Sequence, residues 1–126
     1  MGRNGTKKGY PVRAVVQVHL TAQKDFFDAD AARLLEMIDQ TGSIQDACMK
    51  TGISYSKGAK MIKNAEKQLG FRLLERRTGG SGGRGSRLTE AGRKLVDQYR
   101  RMLARVQKDA DHAYRECFAG DLSEIP

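Results

Sequence analysis

Residues 42–92 read GSIQDACMKTGISYSKGAKMIKNAEKQLGFRLLERRTGGSGGRGSRLTEAG. The pattern predicts two short helices joined at Gly52, then a strand, a glycine-arginine loop and the start of another helix. Ser43 is placed to cap the first helix, because its hydroxyl accepts a hydrogen bond from a backbone N–H left without an intrahelical partner. Gly52 suits the positive φ that ends that helix. Ile53 then packs inward, and Ser54 caps the second helix. Four residues before Gly52, Cys48 supplies the small side chain needed where two helices cross closely.

The second helix has two faces. Gly58, Ile62, Ala65 and Leu69 recur at helical spacing and predict a buried stripe. Ser54, Tyr55, Ser56, Lys57, Lys60 and Asn64 project elsewhere. They are types that contact phosphates and base edges. Such a pair of helices is a helix-turn-helix offering a basic helix to a groove.

After Leu69-Gly70 the run FRLLERR predicts a short strand closed by Arg76 and Arg77. Thr78–Ser86 is too glycine-rich for a helix or a buried strand, and Arg84 and Arg87 flank its far side. Two strands with a basic tip make a wing, in which Arg76, Arg77, Arg84 and Arg87 are candidates for phosphate-backbone or minor-groove contacts. Gly80, Gly82 and Gly85 also satisfy G-x-G-x-x-G, the dinucleotide fingerprint. The chain is too short for a doubly wound sheet, no parallel strand follows, and the expected ribose-binding acid would fall inside a long helix. No Gly-Lys-Ser/Thr follows a four-residue spacer, so the loop is not a P-loop either.

The totals agree with a polyanion binder. The chain has 126 residues, enough for one domain with a modest core, and a net charge of +8. Charged residues make up 30% and hydrophobic ones 39%, which excludes compositional disorder. No apolar run approaches the length of a membrane span. The basic start MGRNGTKKGY lacks the apolar region of a secretory signal. Cys48 and Cys117 lie far apart without CxxC spacing, so neither a disulfide framework nor a zinc site is expected. His19 and His112 are the only imidazoles; no metal, cofactor or catalytic set is expected.

The flanks complete the plan. Residues 1–11 form a basic arm. Val12–Leu20 alternates, with Ala14, Val16, Val18 and Leu20 opposite Arg13, Gln17 and His19, which predicts a half-buried strand. Asp28 and Asp30 open a helix whose core stripe is Phe27, Ala31, Leu34, Leu35 and Ile38, ended by Gly42. Thr89 caps the last helix. There Ala91, Leu95, Tyr99, Met102, Val106, Ala110, Ala113 and Cys117 recur at threes and fours over about seven turns. So small a domain leaves that stripe either folded back on its own core or covered by a second copy, and the second copy is favoured, with Leu95, Tyr99, Met102, Val106, Ala110 and Ala113 as dimerisation residues. The expected fold class is mainly α (α+β): a winged helix-turn-helix over residues 12–88, a dimerisation helix over 89–118 and an acidic tail over 119–126.

The segments GSIQDA (42–47), GISYSKG (52–58), LLERRTGGSGGRGSRLTEAG (73–92) and the helix that follows resemble the winged helix-turn-helix of LysR-type regulators. They are most similar to the N-terminal DNA-binding domain of ModE-type, molybdate-responsive regulators. The resemblance covers roughly residues 12 to 117. It implies a homodimeric, non-enzymatic regulator of transcription that binds double-stranded DNA in the cytoplasm, at the nucleoid, with the helix from Ser54 in the major groove. It also implies an antiparallel-type pairing of the last helices across the dimer. ModE-type regulators hold molybdate in further C-terminal domains. Since this sequence stops at Pro126, only the DNA-binding part is carried over and the effector stays unassigned. Two other classes stand beside this reading: an interaction module that has lost DNA binding, and an enzyme using the Gly80–Gly85 loop for a nucleotide.

Overall fold

The computed structural model describes residues 12–76 and 85–118. The basic arm, Arg77, Arg84, most of the glycine loop and the acidic tail lie outside the described residues. The elements in chain order are β1 (Leu20–Thr21), β2 (Asp25–Phe27), α1 (Ala29–Thr41), α2 (Ile44–Thr51), α3 (Tyr55–Leu69), β3 (Leu74–Arg76), β4 (Ser86–Leu88) and α4 (Glu90–Cys117). The fold is mainly helical with two small antiparallel sheets, β1-β2 and β3-β4. It has the form of a winged helix-turn-helix followed by a long helix. Two compact units divide it: Gln17–Arg101, and a smaller one that holds, among the described residues, 12–16 and 102–118.

Each helix start is capped by a side chain. Asp28 Oδ1 accepts from Ala31 N, Ser43 Oγ from Asp46 N, Ser54 Oγ from Lys57 N and Thr89 Oγ1 from Gly92 N, all at 2.9–3.1 Å. Such caps satisfy backbone donors that the helix leaves unpaired and contribute about 1 kcal/mol each. Gly52, at φ 77°, ends α2 by donating its N–H to Cys48 O. That left-handed turn aims the chain through buried Ile53 into α3.

In the larger unit the core gathers around α1. Leu34, Leu35 and Ile38 meet Leu73 as the largest fully buried side chains, each contributing roughly 1.5–3 kcal/mol by leaving water. Phe27, Ala47, Cys48, Ile62, Ala65, Leu88, Val96 and Tyr99 are among the other buried residues of this core. Helices α2 and α3 approach closely at Gly58, where an added Cβ would lie 2.7 Å from Cys48 Sγ and 3.2 Å from Leu34 Cδ2. A second close approach is at Gly92, whose Cβ would stand 2.5 Å from Leu73 O. Burial pushes the Cys48 thiol up from its ordinary pKa. Burial, then the Asp28 charge, does the same to the Tyr99 hydroxyl, with Arg100 acting in the opposite direction.

Three expectations need correction. The alternation over Val12–Leu20 is present as alternating half-buried and exposed side chains, but only Leu20–Thr21 join a ladder. The reason is that side chains of α4, not a strand, meet this backbone. In the smaller unit Val16 N donates to Gln107 Oε1 at 2.9 Å and Gln107 Nε2 donates to Ala14 O at 2.8 Å. In the larger unit the Tyr99 hydroxyl donates to Val18 O at 2.8 Å. Second, Phe27 lies in β2, paired with Leu20, ahead of the Asp28 cap rather than on α1. Third, the buried face of α4 in this unit runs through Gly92, Val96 and Tyr99, so Ala91 and Leu95 are left half-buried on its flank. The face is rotated because only Gly92 fits against the Leu73 carbonyl.

Alanine is ordinarily about 1 kcal/mol better than glycine inside a helix. At Gly58 the crossing reverses that sign, and Gly58→Ala is expected to lower stability by about 1–3 kcal/mol. Adding Cys48→Ala should recover part of the loss. Urea unfolding of the two variants checks this, and a stabilised single variant would mean that the helices separate without cost.

Candidate nucleic-acid interface

The roll of α3 follows from its buried side. With Gly58, Ile62 and Ala65 against the core, the opposite face carries Ser56, Lys60, Lys63 and Lys67, all exposed. Their spacing of four, three and four residues keeps them on one stripe. Lys57 and Tyr55 are exposed on either side of it, Tyr55 at 56%. None of these lysines forms an ion pair among the described residues. The one acid of α3, Glu66, turns away from the stripe: its Oε2 accepts from Leu73 N at 2.8 Å and lies 3.7 Å from Arg72 Nε.

The wing stands beside α3. Strands β3 and β4 pair in register Leu74↔Leu88, Glu75↔Arg87 and Arg76↔Ser86. Leu74 and Leu88 face the core while Glu75, Arg76 and Arg87 face solvent. Several bonds seat this ribbon. Ser86 N donates to Gly42 O at 2.8 Å, Thr89 N to Leu73 O at 2.9 Å, and the Thr89 hydroxyl to Arg72 O at 2.8 Å. Between α1 and α4, Arg100 holds Glu36 in a two-pronged pair at 2.8 and 2.9 Å. The hydrogen bond to Glu36 raises the Arg100 pKa further, so the clamp stays charged. Between the start of α2, α3 and the wing base lies an open groove of about 750 Å³, lined in part by Ser43, Gln45, Tyr55, Arg72 and Arg76.

The residues expected to touch DNA are thus distributed unevenly. Ser54, Tyr55, Ser56, Lys57 and Lys60 lie exposed at the first turns of α3, with the Ser54 hydroxyl engaged as the cap. Arg76 is exposed and has no ion-pair partner among the described residues. Arg87 is exposed too, but its Nε is bound to Glu75 Oε2 at 2.7 Å. Asn64 departs most from the expectation: it is half-buried, and its amide donates to Asp25 O at 3.1 Å. Tyr99, expected on a dimer face, is 3% exposed within its own chain, with its ring edge-on to Phe27 at 5.1 Å. Lys63 and Lys67 were missed, although their spacing from Lys60 already placed them on its stripe.

A helix-turn-helix with a cationic second helix and a two-stranded ribbon beside it defines a winged helix-turn-helix domain. The family model of the bacterial regulatory helix-turn-helix protein, lysR family, matches residues 29–93, a little over half of the chain. The chain belongs to that family of DNA-binding transcriptional regulators. Among curated proteins it is similar to the transcriptional regulator ModE of Yersinia pestis, 38% identical over 88 residues, covering 70% of this chain and 33% of the relative. The DNA-binding transcriptional dual regulator ModE of Escherichia coli K12 matches with the same identity and coverage. The ModE of Haemophilus influenzae is 35% identical over 91 residues, covering 72% of this chain and 35% of that protein. The chain therefore spans about a third of the length of these relatives, which are named regulators rather than enzymes. Among the described residues no helix is long and apolar enough to cross a membrane, and no cluster of His, Cys, Asp and Glu could hold a metal ion.

Glu66 holds the α3–β3 turn through backbone donors, so Glu66→Ala is expected to cost about 1–3 kcal/mol and to hasten amide exchange at Leu73 and Leu74. Glu66→Gln, which keeps one acceptor, should lose less. Unaltered exchange in the alanine variant would remove this carboxylate from the support of the wing.

Proposed function

We propose that the chain is a sequence-specific regulator that binds double-stranded DNA as a homodimer, with α3 in the major groove and the wing on the backbone or minor groove. The observation that carries this reading is the exposed stripe of α3, where Ser56, Lys60, Lys63 and Lys67 stand together with no acid among them. Lysines on a helix of this size supply affinity by displacing counterions from phosphates, and that affinity falls steeply with salt. Side chains at the first turns supply base discrimination, about 1–3 kcal/mol for a well-made contact. Arg76 and Arg87 extend the cationic surface along the wing, with Arg77 and Arg84 proposed from the sequence as further backbone contacts. The groove beside Tyr55 suits a sugar-phosphate ridge lying between helix and wing. Site of action is the bacterial cytoplasm, at the nucleoid.

Dimerisation is supported by α4 beyond Arg101. In the smaller unit Met102 is 44% exposed and Ala113 and Cys117 are exposed, with Val106 and Ala110 half-buried. A second copy of the helix covers such a stripe symmetrically, and two α3 helices then meet two half-sites of a quasi-palindrome. Leu95, half-buried in the larger unit, is proposed from the sequence as a further dimerisation residue, whereas Tyr99 belongs to the core of its own chain.

Selection from a random duplex pool should enrich a two-fold motif; a pool that emerges without any enriched sequence overturns specific DNA recognition. Lys57→Ala and Lys60→Ala are expected to weaken binding to the selected duplex by about 1–3 kcal/mol in mobility-shift titrations while leaving the oligomeric state unchanged. Met102→Asp together with Val106→Asp should convert the dimer to a monomer in sedimentation analysis, and a double variant that still sediments as a dimer would place the interface elsewhere.

A further inference from the structure

The following inference rests on the reading of α3 as the helix that faces DNA. The lysine stripe of α3 has two flanks. One carries Tyr55 and Glu66 and adjoins the groove and the β3–β4 wing. At 100° per residue, Asn64 and Gln68 fall on the other flank, about 100° away from the centre of the stripe. Both are occupied with the β1–β2 hairpin: Asn64 Nδ2 donates to Asp25 O at 3.1 Å, and Gln68 Oε1 accepts from Gln23 N at 3.1 Å. The turn they hold, Ala22, Gln23 and Lys24, is closed by a bond from Ala22 N to Lys24 O at 3.1 Å, and all three residues are exposed. Lys24 has no ion-pair partner among the described residues. The neighbouring carboxylate of Asp25 lies 3.5 Å from His19 Nδ1. The hairpin also precedes the segment matched by the family model, which begins at residue 29.

A helix is about 10–12 Å across with its side chains, and the major groove of B-DNA is about 12 Å wide. A helix seated there meets a phosphate strand along each flank. The β3–β4 wing stands on one of them. We propose that the β1–β2 turn is a second, N-terminal wing, which sets the Lys24 ammonium and the Gln23 side-chain amide against phosphates on the opposite flank of α3. Its contacts are to the backbone and read no sequence. Asn64 and Gln68 are positioning residues: they fasten the turn to α3, so that seating the helix in the groove also seats the turn.

Fluorescence anisotropy with a selected and a scrambled duplex at several salt concentrations tests this. Lys24→Ala should weaken both duplexes by about three- to tenfold and lower the slope of log K against log salt by about one. Asn64→Ala should produce the same loss by releasing the turn, and the double variant should be no weaker than Asn64→Ala alone. The inference is overturned if Lys24→Ala keeps wild-type affinity and slope while Lys60→Ala loses binding, an outcome that leaves the reading of α3 standing. It is also overturned if the Lys24 and Asn64 losses simply multiply. Should Lys60→Ala bind as well as the wild type, the reading of α3 fails and the second wing with it.

Discussion

The structure depends on the crossing of α2 over α3 at Cys48 and Gly58. Space there is so short that a single added carbon would stand 2.7 Å from the Cys48 sulfur. Because successive residues on a helix are set about 100° apart, this one contact fixes the roll of α3. The roll that buries Gly58, Ile62 and Ala65 is the one that presents Ser56, Lys60, Lys63 and Lys67 to solvent. Rolling the helix by one residue would press Lys57 or Ala59 against Cys48 and turn the lysine stripe away from its present aspect. A packing constraint in the core therefore aims the charge at the surface.

Much of this was legible from residue types at fixed spacing. Ser43, Gly52 and Ser54 announce a helix, a turn and a helix, because a short hydroxyl and a residue without Cβ have few other uses at those positions. The wing was legible from the apolar run at Leu73-Leu74 and the glycines beyond it. What stayed hidden needs partners distant in the chain. The extended stretch 12–19 alternates as a strand does, yet Gln107 and Tyr99, more than 80 residues on, satisfy its backbone. Nothing in a local pattern states whether an extended segment will find a strand or a glutamine beside it. The face that α4 turns to its own core was hidden for a similar reason: the residue that decides it, Gly92, faces a carbonyl of Leu73.

The same limit explains Asn64. From sequence it is an amide on the polar side of a recognition helix, and amides there are apt readers of adenine. Only the fold brings Asp25 within 3.1 Å of it, and the hairpin containing Asp25 was itself not foreseen. Glu66 shows the converse. A carboxylate on a basic helix looks unfavourable for binding phosphate, until Leu73 N and Arg72 are found around it. Both side chains are diverted from solvent to brace an element beside α3, one toward the hairpin and the other toward the wing.

Net charge alone would not single out a face, because the cations of this chain differ in what surrounds them. Arg33, Arg93, Arg100 and Arg101 are each engaged with an acid: Asp30, Asp39, Glu36 and Asp97 respectively. Lys94, Arg105 and Lys108 are unpaired among the described residues, but Asp97, Asp109 and Asp111 are interspersed with them along α4. On α3 the only acid, Glu66, is engaged by Leu73 N and lies 3.7 Å from Arg72 Nε, so it pairs with none of the lysines on the stripe. Within a Debye length of about 8–10 Å the potential is set by such neighbours rather than by the total of +8. A polyanion approaching the chain is drawn most strongly where cations are adjacent and uncompensated, and the same core contact that rolls α3 puts that place on the surface a groove admits.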